Sequence, residues 1–123
     1  MEIKKILVVD DEEPIQAYLE KKLTKLGYTV FIAADGEAAL SQAFNHLPHL
    51  ILLDVKLPKL DGLAVLKRLK ADSRTKEIPV LILSAKAQSK EIDEGLNAGA
   101  DRYLCKPLGF PDILREIKAF EDK

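Results

Sequence analysis

Leu50-Ile51-Leu52-Leu53-Asp54 places four apolar residues, without a polar break, directly before an acid. A run this short with no alternation predicts a strand covered on both faces, as in a parallel sheet. The pattern repeats on either side. Ile6 to Val9 runs into Asp10-Asp11, Pro79 to Leu83 into Ser84, and Arg102 to Cys105 into Lys106, while Tyr28 to Ala33 makes a fifth run. Between the runs lie segments of helical period. Ile15, Leu19, Leu23 and Leu26 mark one apolar stripe, with Pro14 suited to its first turn and Gly27 placed as its stop. Asp35-Gly36 opens a second helix that closes at Leu47-Pro48, Asp61-Gly62 opens a third, Ser89 or a neighbour a fourth that ends near Gly99, and Pro111 a last one. Five such repeats, joined by right-handed crossovers, predict an α/β fold: a flavodoxin-like (βα)5 domain with a parallel sheet of order 2-1-3-4-5 and helices on both faces.

The composition agrees with one domain spanning residues 1–123. The chain is 47% apolar and 32% charged with a formal net charge of −1, enough to bury a core without disulfides or a structural metal. Cys105 is the single cysteine, which points to a reducing, cytoplasmic setting. The opening Met1-Glu2-Ile3-Lys4-Lys5 leads into too short an apolar run for export or membrane spanning. With 19 basic residues against 20 acidic ones, the chain lacks the basic excess of a nucleic-acid binder.

In this fold ligands bind beyond the carboxyl ends of the strands. There the sequence sets Asp10 and Asp11, Asp54, Ser84 and Lys106. Neighbouring strands lie about 4.8 Å apart, so in the expected order strand five stands about 10 Å from strand three, within reach of a lysine stem plus a ligand. Three carboxylates brought together repel, by about 4 kcal/mol for a pair 4 Å apart at an effective dielectric of 20. A hard divalent cation fits among them, Mg2+ best, because it takes one or two carboxylates and leaves positions for phosphate oxygens. Lys106 adds a fixed positive charge and Ser84 a hydroxyl donor. These parts suit phosphoryl transfer to a carboxylate, with Asp54 as the nucleophile in the middle.

Taken in order, Val8-Val9-Asp10-Asp11-Glu12, Leu52-Leu53-Asp54-Val55-Lys56-Leu57-Pro58 with Asp61-Gly62, Ser84-Ala85, Gly99-Ala100-Asp101 and Lys106-Pro107 resemble the receiver domain of two-component response regulators, of the chemotaxis-regulator type. The resemblance covers essentially the whole chain. It implies that Asp54 accepts phosphate from a phosphohistidine of a sensor histidine kinase or histidine phosphotransfer protein. It further implies that Asp11 ligates Mg2+ with Asp10 assisting, alongside Asp54 and the Lys56 backbone carbonyl, and that Ser84 and Lys106 bind the phosphoryl oxygens. A cis peptide at Lys106-Pro107 is part of the pattern. Tyr103 resembles the aromatic that turns inward when the strand-four hydroxyl engages phosphate, reshaping the face of helix four, strand five and helix five towards a protein target or output domain, or towards a second phosphorylated copy. Lys90, Glu94, Tyr103 and Lys118 are the candidate output positions. The implied activity is that of a signalling phosphoacceptor rather than a turnover enzyme, and the alternative is a phosphorylation-independent interaction module of the same fold.

Lys56 and Lys86 depart from the chemotaxis pattern, each two residues beyond a site residue. They are candidates for screening the phosphoryl group from water and so tuning its lifetime. Pro14, Tyr18 and Lys22 lie off the apolar stripe of the first helix and are candidates for choosing the phosphodonor partner. His46 and His49 have no acid or cysteine at ligand spacing and read as surface or turn residues, and Cys105 reads as a small buried hydrophobe. Competing chemistries fail on specific residues. A dehalogenase-like phosphatase needs a second acid where Lys56 stands, a flavin carrier would meet the acids from Asp11 to Glu13, and no Gly-x4-Gly-Lys-Ser/Thr run exists for a nucleotide.

Overall fold

The unbroken Leu50–Leu53 run becomes the central strand because both of its faces are covered. In the computed structural model, which describes residues 2–85 and 88–122, the elements are β1 (Lys5–Val9), α1 (Glu13–Lys25), β2 (Thr29–Ala33), α2 (Gly36–His46), β3 (Leu50–Leu53), α3 (Gly62–Ala71), β4 (Val80–Ser84), α4 (Ser89–Asn97), β5 (Arg102–Cys105) and α5 (Phe110–Glu121). Lys86 lies outside the described residues. All strand pairs are parallel, in the order β2-β1-β3-β4-β5.

Alternate strand residues feed opposite layers. Leu7, Val9, Ile51, Leu53 and Ile82 pack with Ala39, Leu40, Ala43, Val65, Leu66 and Leu69 of α2 and α3. Ile6, Val8, Leu50, Leu52, Leu81 and Leu83 pack with Leu19 and Leu23 of α1 and with Ile113, Ile117 and Phe120 of α5. Helix starts follow the capping residues: the Asp35 side chain accepts from the Ala38 N–H, and Asp61 accepts from those of Leu63 and Ala64. Among the described residues no helix is long and apolar enough to cross a membrane.

Several expectations shift. Tyr28 precedes β2 instead of opening it, and its hydroxyl donates to Glu121 at 2.9 Å. Ser84 is the last residue of β4, while Pro79, which has no N–H for the ladder, stays outside it. Helix α5 begins at Phe110, one residue ahead of Pro111. Leu26, expected in the apolar stripe, is 53% exposed because it caps the end of α1 before Gly27, whose φ is +98°. Cys105 is half-buried rather than buried, since edge strand β5 is covered less completely than its neighbours. The histidines hold local structure: His46 stacks on Phe31 at 4.0 Å, and His49 Nδ1 accepts the Lys4 and Lys5 N–H groups at 3.0 Å each.

Asp101 is a fastener at the end of the sheet away from the carboxyl termini of the strands. Its Oδ2 accepts the Val80 N–H at 2.8 Å and Lys70 Nζ at 3.3 Å, and Lys70 also donates to the Ile78 carbonyl at 2.8 Å. Asp101→Ala leaves the N–H of fully buried Val80 without its carboxylate acceptor, a loss of about 2–3 kcal/mol. For a domain of this size a thermal melt is expected to show a Tm roughly 10 °C lower, with the carboxyl end of the sheet undisturbed.

Candidate functional site

Parallel strands that stop in register bring their next residues to one edge. Asp10 N–H donates to the Ala33 carbonyl at 3.1 Å, Asp54 N–H to that of Val9 at 3.0 Å, and Lys106 N–H to that of Ser84 at 2.7 Å, so the sheet's hydrogen bonding continues one residue into the site. Asp10, Asp54 and Ser84 are buried, at 3%, 8% and 2% exposure, while Asp11, Glu12 and Lys56 are exposed. Asp11, Glu12, Ile15, Asp54, Lys56, Ser84, Ala85 and Lys106 line a cleft of about 530 Å³.

Lys106 reaches farther than strand spacing predicts. Its Nζ lies 3.2 Å from Asp10 Oδ2 and 3.5 Å from Asp54 Oδ2. The residue leaves β5 through a cis Lys106-Pro107 peptide. Burial alone would lower the Lys106 pKa, but the Asp54 and Asp10 carboxylates outweigh it and hold the ammonium above its ordinary value. Burial pushes the Asp54 carboxyl up, and nearby Asp10 adds to this; Lys106 and the Lys56 N–H, 3.2 Å from Asp54 Oδ1, oppose the rise without cancelling it.

Asp10 is fixed from both sides. Its Oδ1 accepts the Glu12 N–H at 2.9 Å, and the Gln16 side chain donates to its carbonyl. Carboxylate oxygens of Asp10, Asp11 and Glu12 all lie within 4.8 Å of one another. A set of hard oxygen donors with exposed members is the chemistry Mg2+ takes. Glu12 and Ile15 are site residues that the strand-end reading missed; their signal was position, one and four residues after Asp11 on an incoming helix.

Ser84 and Tyr103 are hydrogen-bonded to each other, and burial raises the Tyr103 pKa while that bond opposes the rise. Tyr103 is half-buried against the α2–α3 side of the sheet. The docking candidates form one exposed strip: Tyr18 is 47% exposed, sits edge-on to Phe110 at 6.4 Å and carries Lys22 Nζ 5.8 Å above its ring, with exposed Pro14 one turn before. Tyr18 also lines, with Ile15, Leu19, Lys106, Pro107 and Leu108, a groove of about 250 Å³. Lys90, Glu94 and Lys118 are exposed.

The sequence matches the response regulator receiver domain family over residues 6–118. It is 46% identical over 116 residues to the alkaline phosphatase synthesis transcriptional regulatory protein PhoP of Bacillus subtilis, a match covering 94% of this chain and 48% of that protein. The chain thus spans about half the length of the curated relatives it matches. A putative response regulator from Chloroflexus aurantiacus superposes with a TM-score of 0.91 at 34% identity, over 99% of this chain and all (100%) of that one. The receiver domain of sensor histidine kinase PA1611 from Pseudomonas aeruginosa, solved with a magnesium ion coordinated in its active-site cleft, gives 0.90 at 30% identity, over 99% and 100% of the two chains. Fold, strand-end residues and relatives agree: this chain belongs to the response regulator receiver domain family of two-component systems.

Proposed function

We propose that this receiver takes a phosphoryl group onto Asp54 from a phosphohistidine of a sensor kinase or phosphotransfer protein and passes the change to a protein target or output domain. The observation that carries this reading is the shared cleft, in which buried Asp54 and Ser84 open beside Lys106 and the acidic group of Asp10, Asp11 and Glu12. An Asp54 carboxylate oxygen forms the bond to phosphorus as the phosphorus–nitrogen bond of the donor breaks, the electron pair staying with the imidazole. Asp11, Asp10, Asp54 and the Lys56 carbonyl would hold Mg2+, which would supply positive charge against the phosphoryl oxygens. Lys106 adds a second cation already in place, which spares reorganisation.

Ser84 then exchanges Tyr103 for a phosphoryl oxygen. The group brings about two negative charges and three acceptors, and Tyr103, losing its bond, is free to repack. This biases the face made by α4, β5 and α5, where Lys90, Glu94 and Lys118 stand and where a phosphorylated pair of copies would meet. The Pro14, Tyr18 and Lys22 strip beside the cleft selects the donor. Chemically the domain is a phosphoacceptor, and it assists its own loading and unloading without being a turnover enzyme.

Intact mass after incubation with acetyl phosphate, with and without Mg2+, tests the reading. A gain of one phosphoryl group that needs Mg2+ is expected; no gain in folded protein would make the domain a phosphorylation-independent interaction module. The decay of the added mass tests Lys56 as a screen: Lys56→Asn is expected to shorten the lifetime more than twofold, and an unchanged lifetime removes that role.

A further inference from the structure

We infer that the first turn of α2 is a buttress for the metal side of the site, with Gly36 and Asp35 acting as positioning residues through the β3–α3 loop. This rests on the Mg2+ reading above. The loop is held at both ends by contacts that admit no extra atoms. At its base, Gly62 N–H donates to the Val55 carbonyl at 2.7 Å, and a β-carbon at Gly62 would fall 2.4 Å from the Asp54 carbonyl oxygen. At its tip, Gly36 N–H faces the Pro58 carbonyl at 3.3 Å, and a β-carbon at Gly36 would fall 2.0 Å from the Leu60 carbonyl oxygen and 2.6 Å from the Leu60 Cβ.

The tip needs such a support. Leu60 N–H donates to the Pro58 carbonyl at 2.7 Å around Lys59, whose φ is 67°. A three-residue turn of this kind at a residue other than glycine is strained and persists only when its surroundings hold it. Asp35 caps α2 through Oδ1 while its Oδ2 lies 3.7 Å from Lys59 Nζ, so one side chain ties the helix start to the strained residue. Lys56, whose carbonyl is the proposed ligand, stands two positions before Pro58 on the same short loop. Moving the tip to admit a methyl group at Gly36 turns the 56–58 backbone. The support runs one way: α2 holds the turn, and the turn aims the carbonyl.

Calorimetric titration of MgCl2 into the protein, with no phosphodonor, is the test. Gly36→Ala is expected to weaken Mg2+ binding about tenfold, the lower end of what lost outer-shell support removes. Asp101→Ala, destabilised at the opposite end of the sheet, is the control for instability alone and is expected to stay within twofold of the wild type. Asp35→Ala adds no atoms and removes one helix cap and one ion pair, so it is expected to stay folded and to weaken binding at least threefold, and the inference is tested even where Gly36→Ala fails to fold. Wild-type affinity in Asp35→Ala and in folded Gly36→Ala overturns the buttress. A wild type that takes up no Mg2+ overturns the metal reading itself, and the buttress with it.

Discussion

Asp54→Asn is expected to take up no phosphoryl group from acetyl phosphate at any Mg2+ concentration and yet to unfold at a higher temperature than the wild type. The two effects share one cause. Asp54, the proposed phosphoacceptor, is 8% exposed, and its pKa is raised by burial and by Asp10 in spite of Lys106. A carboxyl held above its ordinary range binds its proton more tightly in the folded chain than in the unfolded one, so its charge destabilises the fold. That penalty is absent below the ordinary carboxylate range, grows as pH rises through the folded value, and is complete at neutral pH. Asparagine keeps the shape and removes the charge, while Lys106 retains Asp10 at 3.2 Å. The gain is expected to be on the order of 1 kcal/mol at neutral pH, or about 4 °C in Tm, and to vanish in acid. Melts of both proteins from pH 3 to pH 8 without Mg2+ give the check; a gain that is as large in acid as at neutrality contradicts the account.

Lys106→Met is expected to slow phosphoryl uptake by a factor of about 10²–10³, the usual loss when one preorganised donor is taken from a site of developing charge. Its other effects run in opposite directions. Without the ammonium, Asp10 and Asp54 face each other with no cation between them, and the metal-free protein is expected to lose about 2–3 kcal/mol, somewhat less than a fully buried pair because Lys106 is only half-buried. Mg2+ binding, however, becomes tighter. An ammonium and a divalent ion several ångströms apart repel by about 1 kcal/mol even at the dielectric of water, so removing the lysine is expected to raise Mg2+ affinity roughly fivefold. Slow transfer with strengthened metal binding separates a role at the phosphoryl group from simple disruption of the cleft, which would weaken both.

What the chain disclosed in advance was whatever repeats locally. The five apolar runs gave the topology, and the polar residue beyond four of them gave the cluster at one edge of the sheet, because the residue after a buried parallel strand has one place to go. Asp35 and Asp61 announced helix starts by the same local logic. The rest depends on distant partners. Leu26 shares the period of Ile15, Leu19 and Leu23 but falls where the helix ends. His49 is tied to main-chain groups of β1, and the demand for glycine at position 36 comes from a carbonyl at position 60. Lys106 reaches both acids directly, a side-chain path that strand spacing does not carry.

The Lys106 ion pairs span 96 positions to Asp10 and 52 to Asp54. The Asp10 pair forms only once β1 and β5 share one sheet, and the Asp54 pair only once β3 and β5 do. Contacts of such separation are among the last that a chain closes, since loop-closure entropy precedes any reward. A copy in which β5 has not joined the sheet therefore has the aspartates without the lysine between them. On the proposed phosphoacceptor reading such a copy takes up its phosphoryl group slowly, so loading follows the docking of β5.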